Sequence, residues 1–194
     1  MNSRANIDPV KAKAKRIKCE KEHLFFTRAF FLPRMGFKFS VNWHHEYIAD
    51  KIDQVISGKV KNLVINVPPG SGKTELLTNL IARGLARNAR SRFLYLSFSQ
   101  SLVEAVSATA RNIVKSVDFQ SLWPVKVSTS TDAKSSWKTT VDGYDAGHVY
   151  SASMGGQVTG RRAGTLANEG FTGAIILDDP LKPEDAFSKS ARKK

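Results

Sequence analysis

The residue types able to do chemistry gather at two places in this 194-residue chain. Residues 67–74 read Val-Pro-Pro-Gly-Ser-Gly-Lys-Thr, and 105 residues after Lys73 an apolar run ends in Asp178-Asp179. A Gly-Ser-Gly-Lys-Thr loop can wrap an anion, because glycines at 70 and 72 let backbone N–H groups curl around a phosphate with no Cβ in the way. Lys73 would then reach the β- and γ-phosphates of ATP, and the Thr74 hydroxyl would sit on Mg²⁺. The candidate nucleotide-binding segment is Pro68, Pro69, Gly70, Ser71, Gly72, Lys73, Thr74 and Glu75. One position departs from the G-x-x-x-x-G-K-[ST] pattern, which would put glycine where Val67 stands; Pro68-Pro69-Gly70 can still make the turn.

Phosphate-anhydride hydrolysis also needs a carboxylate for the metal and another to orient and activate water. Asp178 is the candidate metal residue with Thr74, and Asp179 the candidate base. The alternative is that Asp178-Asp179-Pro180 is only an acidic turn. Negative charge building on the γ-phosphoryl group calls for an arginine, and the phosphate loop contains none. Arg161 and Arg162 are the candidates, in a loop loosened by Gly155, Gly156 and Gly160, from which a ring neighbour could receive them in trans. Contact with DNA or solvent is the other reading of that pair.

Elements must bring these groups together. Asp8-Pro9 opens a helix over 9–31 that ends near Pro33–Gly36, and a second helix spans about 42–57. Asn62–Val67 reads as a buried strand feeding the phosphate loop, followed by an amphipathic helix from Thr74 to about Arg87. A strand over 92–98, a helix over about 101–117, and strands over 148–153 and 174–179 follow, while 118–147 is turn-rich and gives no clear period. Strands alternating with helices predict an α/β fold of the P-loop NTPase (ASCE) kind, a mostly parallel sheet with helices on both faces. Ligands gather beyond the carboxyl ends of such strands, which would set Asp178-Asp179 beside Lys73 and Thr74. The 105-residue spacing leaves room for an intervening strand and argues against small nucleotide kinases.

The single cysteine, Cys19, excludes an internal disulfide and any cysteine-built zinc site. No apolar stretch is long enough to span a bilayer and no secretory signal opens the chain, so a cytoplasmic protein without membrane contact is expected. Thirty Lys and Arg against seventeen Asp and Glu give a net charge of +13, which suits a polyanionic partner. Residues 1–39 hold ten basic and three acidic side chains, so a basic helical N-terminal arm (1–39) is set apart from the ATPase domain proper (40–194). Such an arm could track DNA, dock on an acidic protein, or be a solvated helix.

Taken in order, several segments resemble the ATPase domain of phage terminase large subunits. These are Trp43-His44-His45, Leu63–Pro69 with Gly72-Lys73-Thr74-Glu75, Ser97-Phe98-Ser99-Gln100, Gly155–Arg162, and Ile175–Lys182. The resemblance covers about residues 40–188. It implies a motor that couples ATP hydrolysis to translocation of double-stranded DNA into a procapsid. The implied partners are a portal protein, a small terminase subunit and further copies of the chain in a ring, in the host cytoplasm. It also implies that Trp43 and His44 lie where the family contacts adenine; a buried aromatic and a capping histidine are the plainer alternative. Two positions depart from close relatives, which carry an arginine in the loop and a glutamate as base where this chain has Asp179. Glu184 and Asp185 are substitutes for that base. Family members continue into a nuclease domain, so the chain reads as a fragment or truncated product with no nuclease of its own.

Two rival readings stay open. A helicase or AAA+ ATPase shares Pro-Pro-Gly-Ser-Gly-Lys-Thr, although AAA+ proteins usually place the second acidic motif closer. A nucleotide-dependent DNA-binding or assembly module would bind ATP without turning it over.

Overall fold

The computed structural model describes residues 8–156, 158–165 and 170–181. Among these residues six helices and five strands follow one another: α1 (Pro9–Lys21), α2 (His23–Met35), α3 (Trp43–Ile56), α4 (Lys73–Arg87), β1 (Arg92–Ser97), α5 (Gln100–Lys115), α6 (Val117–Gln120), β2 (Lys126–Asp132), β3 (Ser136–Val141), β4 (Tyr144–Ser153) and β5 (Ile175–Leu177). The expected single helix over 9–31 is two helices. The chain turns extended at Glu22 (φ −120°, ψ 115°), and the His23 N–H bonds the Asp53 carboxylate of α3 at 3.1 Å. A tertiary acceptor thus replaces a helical carbonyl, and no glycine or proline is needed for the break.

The sheet runs β2-β3-β4-β1-β5. Strand β1 is parallel to both β4 and β5, whereas β2–β3 and β3–β4 are antiparallel. The sheet is therefore mixed, and the expectation of a mostly parallel sheet is corrected. The reason lies in the segment without a clear period, which folds as a meander. Asp142 and Gly143 both have positive φ (52° and 84°) and close a two-residue hairpin that pairs Val141 with Tyr144.

Among the described residues helices cover one face of the sheet, not both. Among the described residues one large core joins helices α1 to α5 to the sheet face carrying Phe93, Tyr95, Trp137, Val149 and Ile176. The opposite face packs Leu94, Leu96 and Ala152 against Val158 and Ala163, because the described part of the crossover from β4 to β5 is loop and not helix. No described helix is long and apolar enough to cross a membrane.

Residues 62–67 differ from the expected buried strand as well. They pair with no strand among the described residues, although Leu63, Ile65 and Val67 pack on the core while Val64 is 91% exposed. The alternation is that of a strand; the ladder is absent.

The basic segment is not peripheral to this core. Phe26 and Phe30 of α2 lie in it beside Trp123. The buried Arg83 of α4 donates to the carbonyls of Cys19 and Glu20 and to the Asp53 carboxylate.

Candidate active site

Helix α4 begins at Lys73, with Gly72 as its N-cap in a left-handed conformation (φ 76°). A Cβ at Gly72 would sit 2.8 Å from Nε2 of His45, so both backbone and space require glycine there. The loop before it is closed by the Ser71 N–H on the Pro68 carbonyl (3.3 Å), and Gly70 is left-handed too. The N–H groups of the first turn have no helical carbonyl to bond and carry the positive end of the α4 dipole, as an anion site requires.

Two histidines hold this loop from outside. Nε2 of His45 lies 2.9 Å, and Nε2 of His44 3.1 Å, from the Ser71 carbonyl. Nδ1 of His45 accepts from the Asn42 N–H (2.9 Å), which assigns the ring proton to Nε2 and makes His45 a neutral donor to Ser71. Burial, and then the neighbouring His44, lower its pKa and keep it neutral. The sequence reading had singled out Trp43 and His44. The structure brings His44 to the loop together with His45, which the resemblance quoted without giving it a role, while Trp43 is 74% exposed beside His44.

The second half of the site comes from the end of β5. The Asp178 N–H bonds the Leu96 carbonyl (2.8 Å), extending the parallel ladder by one step, and the side chain is buried. Its Oδ2 accepts from the Thr74 hydroxyl (3.0 Å) and from the Tyr95 hydroxyl (2.6 Å). Nζ of Lys73 lies 3.0 Å from Asp178 Oδ1 and 2.6 Å from Asp179 Oδ1. Burial opposes the Lys73 charge, but the hydrogen bonds to Asp179 and Asp178 outweigh it, and the pKa is raised. The ammonium therefore persists across the neutral range.

Tyr95 was missed by the sequence reading. Burial first, and the bond to Asp178 second, push its pKa far above the ordinary phenol value, so it acts only as a neutral donor. Asp179 has φ 45°, a left-handed conformation uncommon outside glycine. Its carbonyl accepts from the Phe98 N–H (3.1 Å) and the Ser97 hydroxyl (3.4 Å), which anchor it across the end of β1. Strain of this kind persists where surrounding structure enforces it, and it turns the half-exposed Asp179 carboxylate outward beside Lys73.

The oxygen set fits a magnesium ion. Oδ1 of Asp178 is buried, with the Lys73 ammonium 3.0 Å away. With the Thr74 hydroxyl on the same carboxylate, a hard cation would find one carboxylate and one hydroxyl, the protein share that Mg²⁺ usually takes when phosphates complete its shell.

Other predicted residues lie elsewhere. The Glu75 carboxylate is engaged by Arg34 of α2 and by Asn79 (2.6 Å), not by the Lys73 cluster. Arg161 stacks 4.2 Å over the Tyr150 ring on the helix-free face, and Arg162 is exposed. Within one chain no described contact joins either arginine to Lys73, Asp178 or Asp179. Glu184 and Asp185 fall outside the described residues, as do Gln157 and Lys182 of the quoted segments.

A family model described as Type III restriction enzyme, res subunit, matches residues 38–178, a span that includes the phosphate loop and reaches Asp178. No curated protein matches the chain.

Proposed function

The chain belongs to the family described as Type III restriction enzyme, res subunit, a helicase-like P-loop ATPase domain, and from that premise we propose that it is the ATP-hydrolysing motor domain of a phage terminase large subunit. The observation that carries hydrolysis is the convergence of Lys73, Thr74, Asp178 and Asp179 within 3.0 Å contacts from two segments about a hundred residues apart. Lys73 and the loop N–H groups bind and orient the phosphate chain. Thr74 and Asp178 would hold a metal ion, which would supply neutralisation of developing phosphoryl charge. Asp179 takes the proton of the attacking water. The resemblance gives adenine to Trp43 and His44, of which His44 lies against the Ser71 carbonyl. The terminase assignment is supported by the ordered sequence segments. It carries double-stranded DNA, a portal protein, a small terminase subunit and a homo-oligomeric ring as partners, in the host cytoplasm and with no nuclease in this chain. The arm at 1–39 and the ATPase domain at 40–194 are its working parts.

A second reading, a helicase-like translocase that separates strands, is favoured by the family match itself. Steady-state phosphate release with duplex and with single-stranded DNA separates the two. A packaging motor is stimulated by duplex and opens no fork; stimulation by single strands alone, with fork opening, would replace it with the helicase reading. Asp179→Asn should bind a labelled ATP analogue normally and lose at least about tenfold in turnover. Higher residual turnover would move the base elsewhere.

A further inference from the structure

We propose that the open groove between α1, α2 and the segment entering α3 docks the sugar–phosphate backbone of nucleic acid, a reading that rests on the motor assignment and gives it a DNA-contact surface. The groove is about 290 Å³, with Lys18, Arg28 and Lys38 on its walls and Phe25, Leu32 and Phe39 along its apolar lining. No carboxylate lines it. Two other cations of the same helices are paired, Arg16 with Glu20 and Arg34 with Glu75, whereas Lys11, Lys13, Lys15 and Lys21 of α1 add unpaired charge beside the groove's own among the described residues. None of the ion pairs among the described residues involves Lys18, Arg28 or Lys38. The Lys18 ammonium instead lies 4.7 Å over the Phe25 ring.

Like charges held together without counter-charge repel one another, and the arrangement is relieved by a polyanion. Cations interleaved with flat aromatic and apolar surface suit one class of polyanion best. Phosphates go to lysine and arginine, and the sugars between them lie against the rings. The contacts are to the backbone and carry no sequence preference.

The groove also shares a wall with the phosphate loop. Phe39 stands edge-on to His45 with centroids 4.9 Å apart, and His45 donates to the Ser71 carbonyl. A Cβ on Gly72 would lie 3.6 Å from the Phe39 ring. Nucleic acid seated against Phe39 therefore bears on the loop that holds the nucleotide, which gives DNA a physical route to stimulate turnover.

The experiment uses the full chain with Arg28→Ala/Lys38→Ala, two exposed side chains outside the catalytic cluster. A control of equal charge, Lys126→Ala/Lys134→Ala on the β2–β3 hairpin, runs beside it. Binding of a fluorescent duplex is followed by anisotropy across about 50–200 mM salt, and phosphate release is measured with and without that duplex. The groove variant should bind about tenfold more weakly and lose about two units of the log–log salt slope, near 0.9 for each phosphate contact removed. Its DNA-stimulated turnover should fall while turnover without DNA stays at the parent level. Equal losses in the hairpin control, or an unchanged slope in the groove variant, would overturn the groove assignment while leaving the motor reading intact. A parent protein that hydrolyses no ATP yet binds DNA through the groove would overturn the motor reading and leave the groove standing. Binding of polyglutamate through the groove, with none of DNA, would give the surface to an acidic protein and refute the proposal.

Discussion

Replacing Lys73 with methionine keeps the aliphatic stem and removes only the charge facing Asp178, a carboxylate with no solvent-exposed surface. At 3.0 Å and an effective dielectric of about 20, the Lys73–Asp178 attraction is about 5 kcal/mol before desolvation is counted. The partner at Asp179 adds little, since that side chain is 61% exposed and screened by water. Lys73 itself keeps 19% of its side chain in solvent, so part of the attraction is repaid by water when the pair is broken. The hydroxyls of Thr74 and Tyr95 stay on the orphaned carboxylate and soften the loss further. Breaking a fully buried pair costs about 3–5 kcal/mol, and with those reductions Lys73→Met should cost about 2 kcal/mol in the absence of nucleotide. Asp178→Asn should remove most of that penalty, so Lys73→Met/Asp178→Asn should be less destabilised than the sum of the single variants by about 1–2 kcal/mol. The assay is urea unfolding of the four proteins at neutral pH with a chelator present, analysed as a double-mutant cycle. A coupling below about 0.5 kcal/mol would show that the lysine is solvated rather than held by Asp178, and the argument would fail. All Lys73→Met proteins should also lack ATPase activity.

Tyr95→Phe removes one hydroxyl donor from a buried carboxylate and should cost about 1–2 kcal/mol of stability while weakening Mg²⁺-dependent turnover; normal stability and normal magnesium dependence would refute the role given to Tyr95. Arg161→Ala/Arg162→Ala protein mixed with Lys73→Ala protein should recover ATPase activity under assembly conditions if a neighbour supplies the arginine. Confirmed co-assembly without recovery would refute a finger in trans. His23 is fully buried, and desolvation followed by the nearby Arg83 charge lowers its pKa to about 3, so the folded protein holds it neutral. Because the unfolded chain takes up that proton near pH 6.5, the stability contribution is complete above that pH. It is lost as pH falls toward 3, at up to about 1.4 kcal/mol per unit. Urea midpoints of the parent and of His23→Gln between pH 7 and 5 should diverge accordingly; parallel curves would place the proton uptake elsewhere.

The phosphate loop and the acidic pair were legible because each is a short local pattern whose flanking periodicity says where it points. Arg34, His45 and the break at Glu22 were not, because each depends on a partner far along the chain: Glu75, Ser71 and Asp53. The meander is a different case. Asp142-Gly143 is a strong two-residue hairpin signal, yet the polar run around it concealed the alternation of β3 and β4, and the sheet was read as mostly parallel. The segment 62–67 was read as a buried strand from its alternation, but alternation cannot reveal whether a neighbour exists to form a ladder.

Tyr95 shows where local pattern stops and register begins. Alternation along β1 puts Phe93, Tyr95 and Ser97 on the helix-covered face, so its inward direction follows from the strand period of two. Its partner does not. In the short parallel ladder Tyr95 sits opposite Ile176, and two residues further along β5 Asp178 emerges on the same face, within reach of the Tyr95 hydroxyl and of Thr74 at the start of α4. A slip of one residue would turn Asp178 to the helix-free face and present Leu177 or Asp179 in its place. Three residue pairs form the ladder, with backbone bonds from Arg92 to Thr172 and from Asp178 to Leu96 on either side of it, and Ile175 and Leu177 are 60% and 55% exposed on the other face. The bonds from Tyr95, Thr74 and Lys73 to the acidic pair are therefore part of what holds β5 in register. The chemistry of the site and the pairing of the strand that carries it stabilise one another.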